Sequence, residues 1–420
     1  MSGLGRATFS SLRTRNYRLF FTGQLVSVSG TWMESVAQSF LVLQLTGSGT
    51  QLGFVTAARF GPMFLLGPWG GLIADRVDRH RLLMVTQVLS GCVSLLFSVL
   101  VGTHSITMPL VYVLSVCLGC VNVLDNPARQ TLIPDLVPQA QLVNAVTLNS
   151  VMMNVARVVG AAFGGVVAAA VGIAWCFGVN AASFGAVVIS LALMRRSEIA
   201  THVRAGREPG QVRAGLRYVA RTPDLLVPLT MLAVLGTLTW EFPVSLPLLA
   251  RNTFGGDAAT YGAMSAMMGI GGVIGGLVSA SRARRSLSAL TFAGLGWGAA
   301  ITVAGLAPSL PVEYVVLLFV GYGSITFNSL AKTTLQLRAA PAMRGRVMAL
   351  WAIAWQGSTP IGGPIIGTVS EHVGARSGVL VGGIAAVVVS AAAWPRLRRA
   401  ERHGGESVVE PAEDPAPAPQ

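Results

Sequence analysis

Apolar stretches long enough to cross a bilayer recur along this chain, and they leave few folds open to it. They run at about 17–44, 50–74, 82–103, 107–130, 143–170 and 173–194. After a polar stretch over 195–222, six more follow at about 223–250, 258–281, 287–307, 312–337, 346–371 and 377–395. A membrane-crossing helix needs about 20 predominantly apolar residues, and each stretch supplies them. Hydrocarbon offers no water to unpaired backbone groups, so a segment must satisfy its own N–H and C=O groups, as a helix does. The pattern predicts an all-α membrane protein of twelve transmembrane helices in two six-helix bundles, 17–194 and 223–399. Residues 1–16 precede them, 195–222 link them, and 400–420 form a disordered tail in this reading. Charged residues are only 11% of the chain, against roughly 25% in soluble domains.

The remaining charges are unevenly placed. Arg6, Arg13, Arg15 and Arg18 precede or open the first segment, Arg76, Arg79 and Arg81 follow the second, and seven arginines occupy 195–222. Arg282, Arg284 and Arg285, then Arg338, Arg344 and Arg346, then Arg396, Arg398, Arg399 and Arg402 fall on the same side. The opposite connections hold only Arg251 and Arg376. Lys and Arg concentrate in cytoplasmic loops, so both termini, the linker and the tail are expected in the cytoplasm. A net charge of +13 would suggest nucleic acid in a soluble chain. Here topology accounts for it, and the bilayer replaces nucleic acid as the expected partner.

Within the linker, Arg213, Arg217 and Arg221 recur every four residues, with Val212, Leu216 and Val219 on the other side. That is the pattern of an amphipathic helix lying at the membrane surface. The tail over 404–420 is rich in proline and acid, with too little apolar surface to fold. Cys92, Cys117, Cys120 and Cys176 all lie in apolar segments. The CxxC spacing of Cys117 and Cys120 lacks the βαβ context of a redox motif and the histidines of a zinc site. No metal or cofactor is expected. The first apolar segment is too long for a cleavable signal peptide.

The two halves repeat. GGLIADRVDRHRL (70–82) aligns without a gap on GGLVSASRARRSL (275–287), and GAAFG (160–164) resembles GPIIG (363–367). Parallel half-repeats of this kind, with the substrate site at the midplane between them, are one plan of secondary transporters. With its Asp-Arg and trailing basic residues, GGLIADRVDRHRL is similar to the loop 2–3 signature of the major facilitator superfamily. More narrowly, the chain resembles the bacterial drug:proton antiporters that include macrolide efflux and enterobactin exporter proteins. The stretches FSSLRTRNYRLFFTGQLVSVSGTWM (9–33), DNPARQTLIPDLVPQAQLVNAVTLN (125–149), NVARVVGAAFGG (154–165) and GLRYVARTP (215–223) carry that likeness.

The resemblance implies a monomeric, multi-pass exporter in the bacterial inner membrane. It also implies a cytoplasmic gate motif of Gly71, Asp75, Arg76, Arg79 and Arg129. There Asp75 would face the N-terminal end of helix 11, and Arg76 and Arg79 would pair with nearby acids, latching the halves together. Asp78 stands where the general signature has Gly, and Ala161 where the glycine-rich motif of helix 5 has Pro. Gly160, Gly164, Gly363 and Gly367 are expected to let helices pack closely.

A charge in the bilayer core is costly, so those that persist mark functional sites by default. Candidates for proton coupling or substrate binding are Glu34, Arg59, Asp125, Arg157 and Glu241. Glu34 lies 16 residues beyond Arg18 and Arg59 lies 16 before Asp75, which places both roughly 24 Å from the basic edge at 1.5 Å per residue. An ion pair between them is predicted, and protonating Glu34 would break it. Asp125 and Arg129, four apart, share one face of their helix, and Pro127 between them removes a backbone donor. Arg157 is expected to attract an anionic substrate group or to pair with Asp125. Glu241, just before Pro243, is expected to break the seventh segment and offers a second proton site. Lys332 lies close enough to the inner edge to snorkel.

These features point to a secondary active transporter of amphipathic small molecules, drugs or natural products, and the resemblance implies export by proton antiport and alternating access. The alternatives are a dedicated siderophore exporter or a lysophospholipid transporter of the same fold. An enzyme would need a nucleophile with its base or a set of metal ligands. His104, His202 and His372 lie in or beside loops without such partners, and no GxxxxGK[ST] loop is present for ATP.

Overall fold

The computed structural model describes residues 9–199, 211–281, 287–341, 343–356 and 358–406. Among them every regular element is helical. The first half comprises α1 (Arg15–Thr46), α2 (Gly49–Arg76), α3 (Arg79–Gly102), α4 (Met108–Leu132), α5 (Leu142–Ala170) and α6 (Ile173–Ala192). A short helix, α7 (Gln211–Ala220), leads to the second half: α8 (Pro223–Leu238), α9 (Phe242–Leu248), α10 (Ala258–Ser281), α11 (Leu287–Gly305) and α12 (Leu310–Arg338). It ends with α13 (Arg344–Gln356), α14 (Thr359–His372) and α15 (Ala375–Glu406).

Two of the expected spans are each built from two helices. The seventh breaks between α8 and α9 at Thr239–Glu241, and Pro243, which has no N–H to give, sits in the first turn of α9. The eleventh divides into α13 and α14, with Pro360 in the first turn of α14. Nine helical stretches among the described residues are long and apolar enough to cross a membrane. α1 and α2 are long enough, but Gln24, Glu34 and Gln38 on α1, and Arg59 with several glycines and prolines on α2, lower their mean hydropathy. The last helix corrects the expected boundary at residue 399, because α15 continues to Glu406. Its end, RLRRAERH, contains good helix formers and no breaker until Gly404. Residues 407–420 of the expected tail lie outside the described residues, as do the loop arginines Arg282, Arg284 and Arg285.

Within the first half α1 packs on α5 and α6, and α2 on α4; within the second, α10 packs on α12 and α11 on α15. The halves meet along two seams, α2 against α14 and α5 against α10. Glycines set both distances. A Cβ at Gly363 would lie 2.9 Å from the Gly53 carbonyl oxygen, and one at Gly367 would overlap that of Gly49. At the other seam a Cβ on Gly165 would lie 2.7 Å from the Ala258 carbonyl oxygen. These contacts cluster toward the arginine-poor end of the molecule, where further bonds join the halves. Gly47, with φ +67°, ends α1 in a left-handed turn that favours glycine. Ser48 then caps α2 by accepting from Gln51 N at 3.1 Å, and donates its hydroxyl to Glu371 on α14 at 2.6 Å. Glu371 also accepts from Thr50 N at 2.8 Å, and Arg251 donates to the Leu43 carbonyl.

The linker helix α7 is docked rather than loose. Val219 is buried with Leu225, Leu335, Val347 and Leu350 of the second half, and the Tyr218 hydroxyl accepts from Ala340 N at 3.2 Å. Leu216 is exposed, so only part of the expected apolar side is used by protein packing. The side chains of Val212 and Arg213 lie outside the described residues.

Candidate functional site

Polar residues recur along α1 at helical spacing: Ser27, Thr31, Glu34, Ser35 and Gln38. This stripe, of which Ser27, Glu34 and Gln38 are buried, carries the centre of the site. Glu34 is 1% exposed. It accepts hydrogen bonds from Ser94 Oγ on α3 and Asn180 Nδ2 on α6, both at 2.5 Å. Arg59 on α2 brings Nη1 to 3.6 Å from Glu34 Oε1, an ion pair without a direct hydrogen bond. The same Nη1 donates to Gln38 Oε1 at 2.6 Å, and Gln38 donates to Ser115 Oγ on α4 at 2.7 Å. The carboxylate therefore ties together α1, α2, α3 and α6. Close approach of α6 depends on Gly30, where a Cβ would lie 2.5 Å from Asn180 Oδ1.

Beside this network is a cavity of about 150 Å³ lined by Thr31, Trp32, Gln38, Arg59, Phe60 and Pro243, among others. It lies at the junction of the halves, because Pro243 belongs to α9. Arg157 on α5 is close by, its Cζ 4.6 Å from the ring centre of Trp32 and 5.7 Å from that of Trp240. Gly160, one turn along α5, has no room for a Cβ against Ser29 and Trp32, and Gly164 packs against Met33 at 2.8 Å by the same measure. That close seam with α1 sets Arg157 over the Trp32 ring. Trp240 continues into an indole cluster, 4.8 Å from Trp355 and 6.4 Å from Trp297 between ring centres.

Arg157 does not pair with Asp125, one of the two partners expected for it. Asp125 is held within the first half by an ion pair to Arg129 and by hydrogen bonds from Thr86 Oγ1 at 2.8 Å and Gln87 Nε2 at 2.7 Å. The i,i+4 spacing brings Arg129 to Asp125 first, and two donors from α3 fill the remaining positions. Glu241 is buried in the break of the seventh span. Its oxygens have no hydrogen-bond partner, with the Thr359 hydroxyl facing them outside bonding geometry. They lie against Gly362 and Gly363 of α14. Lys332 is stacked 4.9 Å over the Trp351 ring.

At the arginine-rich end, Arg79 forms an ion pair with Asp135 and donates to the Thr131 carbonyl at 2.7 Å. Arg76 is exposed. The surroundings of Gly71 and the side chain of Asp75 lie outside the described residues. At this end α2 is thus anchored to its own half through the turn into α3.

A family model described as transmembrane secretion effector matches residues 6–415. This chain belongs to that family. The enterobactin exporter EntS of Shigella boydii is 27% identical over 356 residues, 84% of each chain, and its Escherichia coli counterparts are 26% identical over the same share. The staphyloferrin A transporter of Staphylococcus aureus is 27% identical over 265 residues, 62% of this chain and 66% of the relative. Among solved structures, a bacterial homologue of the human lysosomal transporter Spinster, inward-facing and unoccupied, superposes with a TM-score of 0.70 at 16% identity. That match covers 95% of this chain and 99% of the other. A point mutant of the nucleoside transporter NupG gives a TM-score of 0.74 at 12% identity, covering 91% and 99%. The fold is that of the major facilitator transporters, and this secretion-effector family member is a multi-pass secondary transporter, not an enzyme.

Several residues of the transporter's site were not legible in its sequence. Ser94 and Asn180 are ordinary small polar residues until α3 and α6 carry them to Glu34. The signal that could have found Gln38 is the polar spacing along α1, where it follows Glu34 at i+4. Away from that site, Glu313 in the first turn of α12 is fully buried with both oxygens unpartnered, and it too was missed.

Proposed function

We propose that this chain exports an amphipathic small molecule from the cytoplasm by alternating access, driven by proton antiport. The observation that carries the reading is Glu34, a buried carboxylate beside a cavity at the junction of the halves. Its charge is balanced by two donors and by Arg59 at 3.6 Å. Protonation removes that charge and leaves Arg59 bound to Gln38 alone, so a proton changes how α2 is tied to α1. Positive-inside placement of the arginines sets the basic face and both termini in the cytoplasm. The two six-helix halves then rock as a monomer about the α2–α14 and α5–α10 seams, with the gate motif around Asp75 and Arg79 acting at the cytoplasmic side.

Among cargo classes, a siderophore or similar natural product is favoured over a cationic drug. Two arginines stand at the cavity and its edge, and the curated relatives include an enterobactin exporter and a staphyloferrin A transporter. Uptake into inverted vesicles with an imposed proton gradient tests the reading. Gradient-dependent accumulation of at least one amphipathic compound, abolished by a protonophore, is expected. Accumulation that ignores the gradient across a broad panel would remove the antiport claim.

A further inference from the structure

The proton-coupling pair does not explain Arg157. The cation lies over two indole rings, Trp32 from the first half and Trp240 from the second. Among the described residues it makes no ion pair, and its buried Nε has no hydrogen-bond partner. Aromatic faces offset part of the cost of a desolvated cation. They supply no oxygen acceptor to a guanidinium, whose N–H groups form a planar fork. That fork matches a carboxylate in two parallel hydrogen bonds. Trp32 also lines the cavity, so a ligand whose acid reaches Arg157 leaves its body against an indole. A void on the order of 150 Å³ is known to take up an aromatic ring. Glu241, the residue after Trp240, is packed against Gly362 and Gly363 of α14.

We propose that Arg157, held between Trp32 and Trp240, binds the acidic group of an aromatic cargo, a carboxylate or comparable anionic oxygen carried on a flat ring. The subsite spans both halves. Rocking them apart withdraws Trp240 from Arg157, so the site is complete only while the arginine-poor end is closed. The proposal rests on the exporter reading for its biological sense, but the binding step needs no gradient and is measured without one.

The test uses the purified full chain in detergent micelles and isothermal titration at millimolar ligand. Four probes are compared: benzoate, benzamide, benzylammonium and cyclohexanecarboxylate. Benzoate is expected to bind saturably and about tenfold or more tighter than benzylammonium and benzamide, the effect of one charge-assisted contact. Cyclohexanecarboxylate is expected to bind several-fold more weakly than benzoate. Arg157→Gln, checked for folding by its thermal unfolding, removes the preference for benzoate. Should that variant not fold, Arg157→Lys, which keeps the charge and loses the fork, reduces the preference without reversing it. Equal binding of the benzoate and benzylammonium probes, no saturable benzoate binding, or an unchanged preference in both variants overturns the subsite. Benzoate binding without gradient-driven transport keeps the subsite and sinks the antiport reading instead.

Discussion

Glu371 on α14 accepts hydrogen bonds from Ser48 Oγ at 2.6 Å and Thr50 N at 2.8 Å, which fastens the last turn of a helix in one half to the first turn of a helix in the other. The carboxylate adds to the cap that Ser48 already provides, and negative charge is favoured at a helix N-terminus. The contact bridges the two halves at the arginine-poor end, beside the Gly49–Gly367 approach. An alternating-access cycle has to break it once per turnover.

Glu371→Gln is therefore expected to favour opening at that end. Because the side chain is exposed, the loss is about 1 kcal/mol, a roughly fivefold shift in the equilibrium. The readout is maleimide labelling of a cysteine placed at Leu52, a buried residue of α2 that lines the cavity, on a background with the native cysteines replaced. Labelling from the arginine-poor face is expected to rise in the Gln variant. An unchanged rate would mean that the seam glycines alone hold the closed state.

Identical substitutions at two glycines should fail in different ways. Gly160 packs within the first half against Ser29 and Trp32, whereas Gly367 packs between halves against Gly49. Gly160→Ala overpacks a permanent interface, at a cost of about 1–3 kcal/mol, and is expected to lower the thermal unfolding midpoint. Gly367→Ala overpacks a contact made in only one state. Its unfolding midpoint is expected to stay near that of the parent while transport falls and the Leu52 cysteine becomes more reactive. Equal destabilisation by both would count against a moving α2–α14 seam.

The all-helical architecture and the sites of charge were readable because each depends on a local rule. Length and hydropathy mark a span, arginine marks a side, and Glu241 next to Pro243 marks a break. The depth count that paired Glu34 with Arg59 used only the fixed rise of a helix, and the structure sets them 3.6 Å apart. What failed to show was lateral placement. Nothing local says that Ser94 and Asn180 turn toward Glu34, that Arg157 meets two indoles rather than Asp125, or that Ser48 meets a residue more than three hundred positions away. Those contacts follow from which helix faces are neighbours, and close glycine seams decide that. The glycines were visible in the sequence, but their partners were not.

The gate motif gives a further test. Arg79 is already engaged by Asp135 and the Thr131 carbonyl inside the first half, so its removal should loosen the turn between α2 and α3 in every state. By the family likeness, Asp75 is expected to act across the halves. Asp75→Asn is expected to impair transport while expression and membrane insertion stay at parental levels, and Asp135→Asn is expected to lower expression as well. Undiminished transport by the Asp75 variant would reduce the stretch to a topology signal.

The Glu34–Arg59 pair separates structure from coupling. Removing Arg59 alone leaves the Glu34 charge with only Ser94 and Asn180 to balance it, and stripping one partner from a buried pair costs about 3–5 kcal/mol. Removing Glu34 alone strands Arg59 less severely, because Gln38 still accepts from it at 2.6 Å. Arg59→Gln is thus expected to express poorly, Glu34→Gln to express near the parental level, and the double variant to recover much of the loss. Transport should rank differently. Glu34→Gln and the double variant are both expected to carry cargo down its own gradient while ignoring an imposed pH gradient, since neither has a group at this position to take the proton. Purified protein in liposomes reads both quantities. If Glu34→Gln still accumulates cargo against its gradient when the pH gradient is the sole driving force, proton coupling belongs to another acid, and Glu241 is the next to replace.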